Sequence, residues 1–213
     1  LALNATAGDV DGNGTVTVAG GIDLDAAGNI GFGSLNARGG SFTVDAGGRV
    51  TFAGATSSDV IAMRAGGSIT GGNLTATNAL NLNGGNIAIA DSICSKPTKT
   101  AAPRIGPTNV PTEPSITMTS SSDIRFNSLT APNAITLVAA NGAIGMNAGS
   151  GDINSGGRVD LTAQTAKLGN LTSAGSVNAV ASAGDASFGT VNAANDIGIS
   201  ATGTSTVANA ISG

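Results

Sequence analysis

Two apolar residues separated by a single residue recur along the chain at an almost fixed interval, and this periodicity restricts the fold more than any other feature. The pairs are Ile22/Leu24, Phe42/Val44, Ile61/Met63, Leu80/Leu82, Ile116/Met118, Ile135/Leu137, Val159/Leu161, Val177/Ala179 and Ile197/Ile199. Their second members are 18 to 24 residues apart, with one interval of 36 between Leu82 and Met118. An alanine often follows two positions later, as at Ala26, Ala46, Ala65, Ala139, Ala163 and Ala201. A second column lies seven to nine residues further on, at Phe32, Phe52, Gly71, Phe126, Met146, Leu168, Phe188 and Val207, and it takes four of the five phenylalanines. A third apolar position follows three residues later in most repeats, at Leu35, Ala55, Leu74, Leu129, Leu171 and Val191.

Within each stretch the apolar residues alternate with Thr, Asn, Ser or Asp, the period-two pattern of a strand with one face buried. Strands this short cannot stand alone, so each must pair with its equivalent one repeat earlier and one repeat later. The expectation is an all-β chain, a three-sided parallel β-helix of about ten rungs. At about 4.8 Å per rung it makes a rod roughly 45 to 50 Å long. A β-sandwich of many short strands is the competing architecture, but its strands seldom keep one column register over such a length. Glycine is abundant, at 33 residues, which excludes helix. Steps such as Gly47-Gly48, Gly66-Gly67, Gly84-Gly85, Asn141-Gly142 and Gly156-Gly157 are expected to supply positive φ at the corners. Leu1 falls inside the first column and Ile211-Ser-Gly213 inside a rung, so the chain is expected to be a piece of a longer solenoid.

Composition removes several function classes. Nine Lys plus Arg against 13 Asp plus Glu leave a net charge of −4, so a sequence-wide footprint for nucleic acid is missing. No apolar run reaches the roughly 18 residues needed to cross a bilayer, which argues against membrane insertion. With 40% hydrophobic residues the chain has a core, and that core is built from small and β-branched side chains because Trp, Tyr and His are absent. Without His there is no base for a serine or cysteine nucleophile, and no zinc set or other cofactor site is visible.

One segment cannot be a regular rung. The interval 90–115, between rungs 1–89 and 116–213, reads as a proline-rich inserted loop of one continuous solenoid domain. It holds Pro97, Pro103, Pro107, Pro111 and Pro114, five of the six prolines, and proline cannot donate to a ladder. Loops held by a rigid scaffold carry function disproportionately, so Lys96, Lys99, Arg104 and Ile105 are the candidate partner contacts. Cys94, the single cysteine, is expected either as a buried thiol at the root of the loop or as a site of intermolecular pairing, the former being favoured.

Three other constellations carry chemistry on paper. Asp9-Val-Asp11-Gly-Asn13-Gly14 matches the first half of a calcium loop, but the twelfth position, where a bidentate carboxylate belongs, is Gly20, so a polar corner is the better reading. Gly149-Ser-Gly-Asp152 is a small insertion at the same corner of a later rung. Asp25 and Asp45, with Asp23 nearby, stack on successive rungs at about the separation of a retaining glycosidase pair. Arg64 stands at the next equivalent position, and no Tyr or Trp offers a sugar platform, so the chain is not expected to be an enzyme. Thr43, Thr136 and Thr162 share a column neighbourhood that Asp, Asn and Ala interrupt, which leaves an ice-binding face a minor option.

Runs such as Gly28-Asn-Ile-Gly-Phe-Gly-Ser-Leu-Asn-Ala37, Gly39-Gly-Ser-Phe-Thr-Val-Asp-Ala-Gly-Gly48 and Ala131-Pro-Asn-Ala-Ile-Thr-Leu-Val-Ala139 resemble the repeats of bacterial filamentous-haemagglutinin-type exoproteins and related autotransporter passengers. The resemblance implies a right-handed β-helix on a large Gram-negative secreted or outer-membrane surface protein, often an adhesin. It further implies a host or neighbouring-cell surface protein or glycan as partner. A polysaccharide-degrading β-helix fragment, or a subunit that self-associates end to end into a filament, are the alternatives.

Overall fold

The computed structural model describes residues 1–95 and 115–213, and among these the chain is a parallel β-solenoid without helix. The first face is a ten-stranded sheet. It runs from Ala2–Ala5 through Ile22–Ala26, Phe42–Ala46, Val60–Ala65, Ala79–Gly84, Ser115–Ser120, Ile135–Ala139, Val159–Ala163 and Val177–Ala181 to Ile197–Ala201. Each strand pairs in parallel with its equivalent about 20 residues away, as in Ile22↔Phe42, Phe42↔Ile61 and Ile135↔Val159, or 36 away at Leu80↔Ile116. A sandwich is thereby excluded, because every ladder among the described residues is parallel and joins consecutive rungs.

The second and third apolar columns occupy two further stretches of each rung. In some rungs they form one unbroken strand, as in Ile30–Ala37 and Val50–Ser57, so that both faces belong to a single hydrogen-bonded sheet. The columns hold the expected residues: Phe32↔Phe52↔Gly71 and Phe188↔Val207 in the second, Leu35↔Ala55↔Leu74 and Leu171↔Val191 in the third. The rings of Phe32 and Phe52 stack at 5.6 Å, and Phe42 meets Phe32 edge-on at 5.7 Å. Gly71 then receives the Phe52 ring, because a Cβ there would lie 2.5 Å from it. A small residue therefore follows two stacked rings in the column, which keeps a narrow core filled without overpacking it.

The corner glycines serve a purpose other than the one expected of them. Among the described residues only Gly8 (φ 143°) and Gly151 (φ 67°) are left-handed. Many of the others are needed because the chain passes close to the rung below. A Cβ on Gly47 would strike the Ala27 carbonyl, on Gly66 that of Gly47, on Gly72 that of Ala53 and on Gly156 that of Pro132. Rungs stacked at ladder spacing leave the corner backbone no lateral room for a side chain.

The long insertion also starts later than the apolar pattern suggested. Asp91–Cys94 is a regular strand paired with Ser68–Ala76 on one side and Ser128–Ala131 on the other, and Ser115 opens the next first-face strand. The inserted interval 90–115 is thus ladder at both ends. The pattern misled because Ser92 takes the inward place that Leu74 and Leu129 hold in neighbouring rungs, while Ile93 faces outward.

Candidate functional site

Sequence, not composition, decides how the corners close. At the corner between the first and second faces, outward Asp and Asn side chains accept the backbone N–H of the rung above: Asn29 N–H to Asp9 Oδ1 (2.6 Å), Arg49 to Asn29 (3.0 Å), Ala143 to Asp123 (2.8 Å) and Thr204 to Asp185 (2.8 Å). The corner between the second and third faces repeats the device, with Asn170 N–H on Asp152 (2.7 Å) and Thr190 N–H on Asn170 (3.0 Å). In each case the residue just before the donor is a glycine, Gly28, Gly48, Gly142, Gly203, Gly169 and Gly189, whose Cβ would collide with the accepting oxygen. An Asp or Asn and a glycine about 19 residues later are therefore one structural unit, a link invisible to any short motif.

That unit accounts for Asp9. Its carboxylate accepts from the main chain and the side-chain amide of Asn29, which together hold it below the ordinary carboxylate range. Asp11 lies on the strand Val10–Val18, and Asn13 sits at its register shift between Gly12 and Thr15. The Asp9 carboxylate is thus already engaged as a corner acceptor. Among the described residues no group of three or more His, Cys, Asp or Glu side chains could hold a metal ion. The bulge at Asn13 and the insertion ending at Gly151 do occupy the same corner, between second and third faces. In the later rung Asn127 clamps it, its Oδ1 accepting from Ala148 and Gly149 and its carbonyl from Gly151.

Asp25 and Asp45 are register partners on adjacent rungs, followed by Arg64 as the sequence indicates. All three stand on the open outer surface of the first face. A shallow cleft of about 300 Å³ on that face is lined by Asp45, Arg64, Thr43, Asn81, Thr117 and neighbours, but not by Asp25. The two carboxylates therefore share a surface without sharing an enclosed site. Thr43 and Thr136 lie in one outward column, which Ala62, Asn81 and Asp160 share, and Thr162 lies in the adjacent column. The third face carries a more regular array: Thr17, Asn36, Thr56, Thr75, Thr130, Asn154 and Thr172 follow one another up it, interrupted by Ile93. Its sequence signature is a triplet of an apolar residue, Thr or Asn, and a small residue repeated once per rung.

Lys96, Lys99, Arg104 and Ile105 lie outside the described residues. Their anchors are described. Ser95 donates its N–H to Ala76 (2.9 Å) and Ser115 to Asn78 (3.2 Å), so both ends of the interval are tied to the same rung. Cys94 is the inward residue just before it, paired with Ala76 and 2% exposed. Burial pushes its thiol up to about 11, so at neutral pH it is protonated and shielded, which is the buried-thiol reading. No family model, no curated protein and no solved structure matches this chain.

Proposed function

We propose that the chain is a structural and adhesive segment of a bacterial surface or secreted protein of the filamentous-haemagglutinin type, a stalk that presents residues 96–114 to a protein or glycan on another cell. One observation carries this reading. From Cys94 to Ile116 the chain spends 22 positions on a passage that takes 4 from Ala76 to Leu80, and the ladder continues unperturbed on both sides. A scaffold that absorbs so long a side excursion without losing register suits display. Among the described residues the Asp25/Asp45 pair is open to solvent.

Replacing residues 96–114 by a single Asn restores the passage length of neighbouring rungs and leaves Cys94, Ser95 and Ser115 in place. Binding to cultured epithelial cells and to a glycan array is expected for the intact chain and lost for the shortened one, with both equally folded by circular dichroism. Equal binding by the two would refute display by this segment. Hydrolysis of acidic polysaccharides that Asp25→Asn and Asp45→Asn abolish would replace it with the enzymatic alternative.

A further inference from the structure

The chain contains three Asn-Gly steps, Asn13-Gly14, Asn83-Gly84 and Asn141-Gly142, identical in the residues that undergo spontaneous chemistry. In such a step the glycine amide nitrogen can attack the asparagine side-chain Cγ. The new N–Cγ bond closes a five-membered imide, the Cγ–Nδ2 bond breaks and ammonia leaves. Water then opens the imide at either carbonyl, giving aspartate or isoaspartate, and neither an oxidant nor a cofactor is consumed. The reaction requires the asparagine to leave extended geometry and the glycine N–H to be free, so the fold decides which copies react.

Two of the three copies lie in the interior of the ladder, and the fold treats them oppositely. Asn83 and Gly84 end the first-face strand Ala79–Gly84. Asn83 is paired with Arg64 on one side and Thr119 on the other, and Gly84 is buried and paired with Ser120. Asn141 is exposed on a turn between the strands Ile135–Ala139 and Ala143–Met146. Among the described residues its side chain makes no hydrogen bond, and the Gly142 N–H closes the turn over Ala140 and Asn141 without reaching hydrogen-bond geometry, although the Gly142 carbonyl accepts from Gln164 (2.8 Å). Ala140 and Ala143 on either side are fixed, by the Ser120 carbonyl (2.9 Å) and Asp123 Oδ1 (2.8 Å).

We propose that Asn141 is a self-modification site, converting through the imide to aspartate and isoaspartate, while Asn83 in the same dipeptide is held inert by its strand. The isoaspartate product places an extra carbon in the main chain of a corner pinned at both ends. Gly142 is already so close to the rung below that a Cβ would lie 2.5 Å from the Ser122 carbonyl carbon, so the longer corner cannot keep both flanking hydrogen bonds. The site acts as a slow clock that loosens one interior corner of the rod and adds a negative charge there. This inference rests on the fold and is independent of the proposed display role.

The test is peptide mapping by mass spectrometry of the full chain incubated at mildly alkaline pH, folded and in concentrated urea, with isoaspartate detected by enzymatic methylation. In the folded chain the Asn141 peptide is expected to gain acid at least about tenfold faster than the Asn83 peptide, and in urea the two should converge, since ladder protection is lost on unfolding. Asn141→Gln, which closes the larger ring slowly, should silence that peptide alone. Equal folded rates at the two sites, a difference that persists in urea, or acid gain at the same peptide in Asn141→Gln would each overturn the proposal.

Discussion

The corners of this solenoid are closed in two opposite ways. Between the first and second faces most clamps are outward Asp and Asn side chains such as Asn29, Asp123 and Asp185, reaching up to the next rung, with the buried Ser120 as an inward exception. Between the third face and the next rung they are inward serines: Ser57, Ser155 and Ser173 are 2 to 4% exposed. Ser173 Oγ donates to the Gly157 carbonyl (2.6 Å) and accepts from the Gly175 N–H (3.1 Å); Ser155 does the same with the Asn133 carbonyl and the Gly157 N–H. An outward clamp that is lost leaves its donor to water. An inward clamp that is lost takes hydrogen bonds from buried groups that water cannot reach and leaves them only their backbone partners, so the two corners should differ in tolerance.

The strongest expected effect lies with neither clamp. Gly72→Ala drives a Cβ into the Ala53 carbonyl and should lower unfolding stability by about 3 kcal/mol or prevent folding, as read by denaturant titration. If it is tolerated, close rung approach does not explain the corner glycines. Ser173→Ala should cost about 2 kcal/mol by removing the buried hydroxyl's bonds to the Gly157 and Ser176 carbonyls and the Gly175 N–H, which keep only their backbone partners. Asn127→Ala, the outward counterpart that releases Ala148 and Gly149, should cost only about 1 kcal/mol, with amide exchange quickened at 147–151 and unchanged elsewhere. A larger loss for Asn127→Ala than for Ser173→Ala would reverse the comparison.

Ser92 sharpens the inward case, because it is fully buried and its hydroxyl has no partner among the described residues. Ser92→Ala should therefore be neutral or add up to about 1 kcal/mol, opposite in sign to Ser173→Ala at equal burial. Acid should produce the smallest effect. The Ala143 N–H holds the Asp123 carboxyl below its ordinary value, with Arg125 at 3.1 Å adding to it, and Asn29 does so for Asp9. A carboxyl depressed on folding stabilises above its unfolded value and loses that contribution as pH falls through the folded one. The unfolding midpoint should thus slip slightly below about pH 4, the ordinary carboxylate range, and Asp123→Asn should remove part of that slope while keeping the acceptor.

Much of the architecture was legible because a ladder repeats one residue position per rung. The Ile22, Phe42 and Ile61 column and the Phe32 and Phe52 column could be read from spacing alone, and the register pairs those residues. Legibility failed where one rung departed from the rule: Ser92 and Cys94 are small inward residues, so Asp91–Cys94 was assigned to the loop rather than to the third face. For the candidate contacts, sequence places Lys96, Lys99, Arg104 and Ile105 in the excursion, and the described structure contributes only its anchor points at Ser95 and Ser115.

The sequence by itself determined the parallel stack, its three apolar columns and the rung from which the long excursion leaves. These follow from periodicity, and burial of one side chain in two is a local consequence of strand geometry. Only the tertiary structure decided why the corners are glycine, which carboxylates are engaged, and how the Asn83-Gly84 and Asn141-Gly142 steps differ in exposure and pairing. Those properties depend on an atom about 19 residues away in the chain and one rung away in space, at a distance that ladder spacing sets and no local motif records.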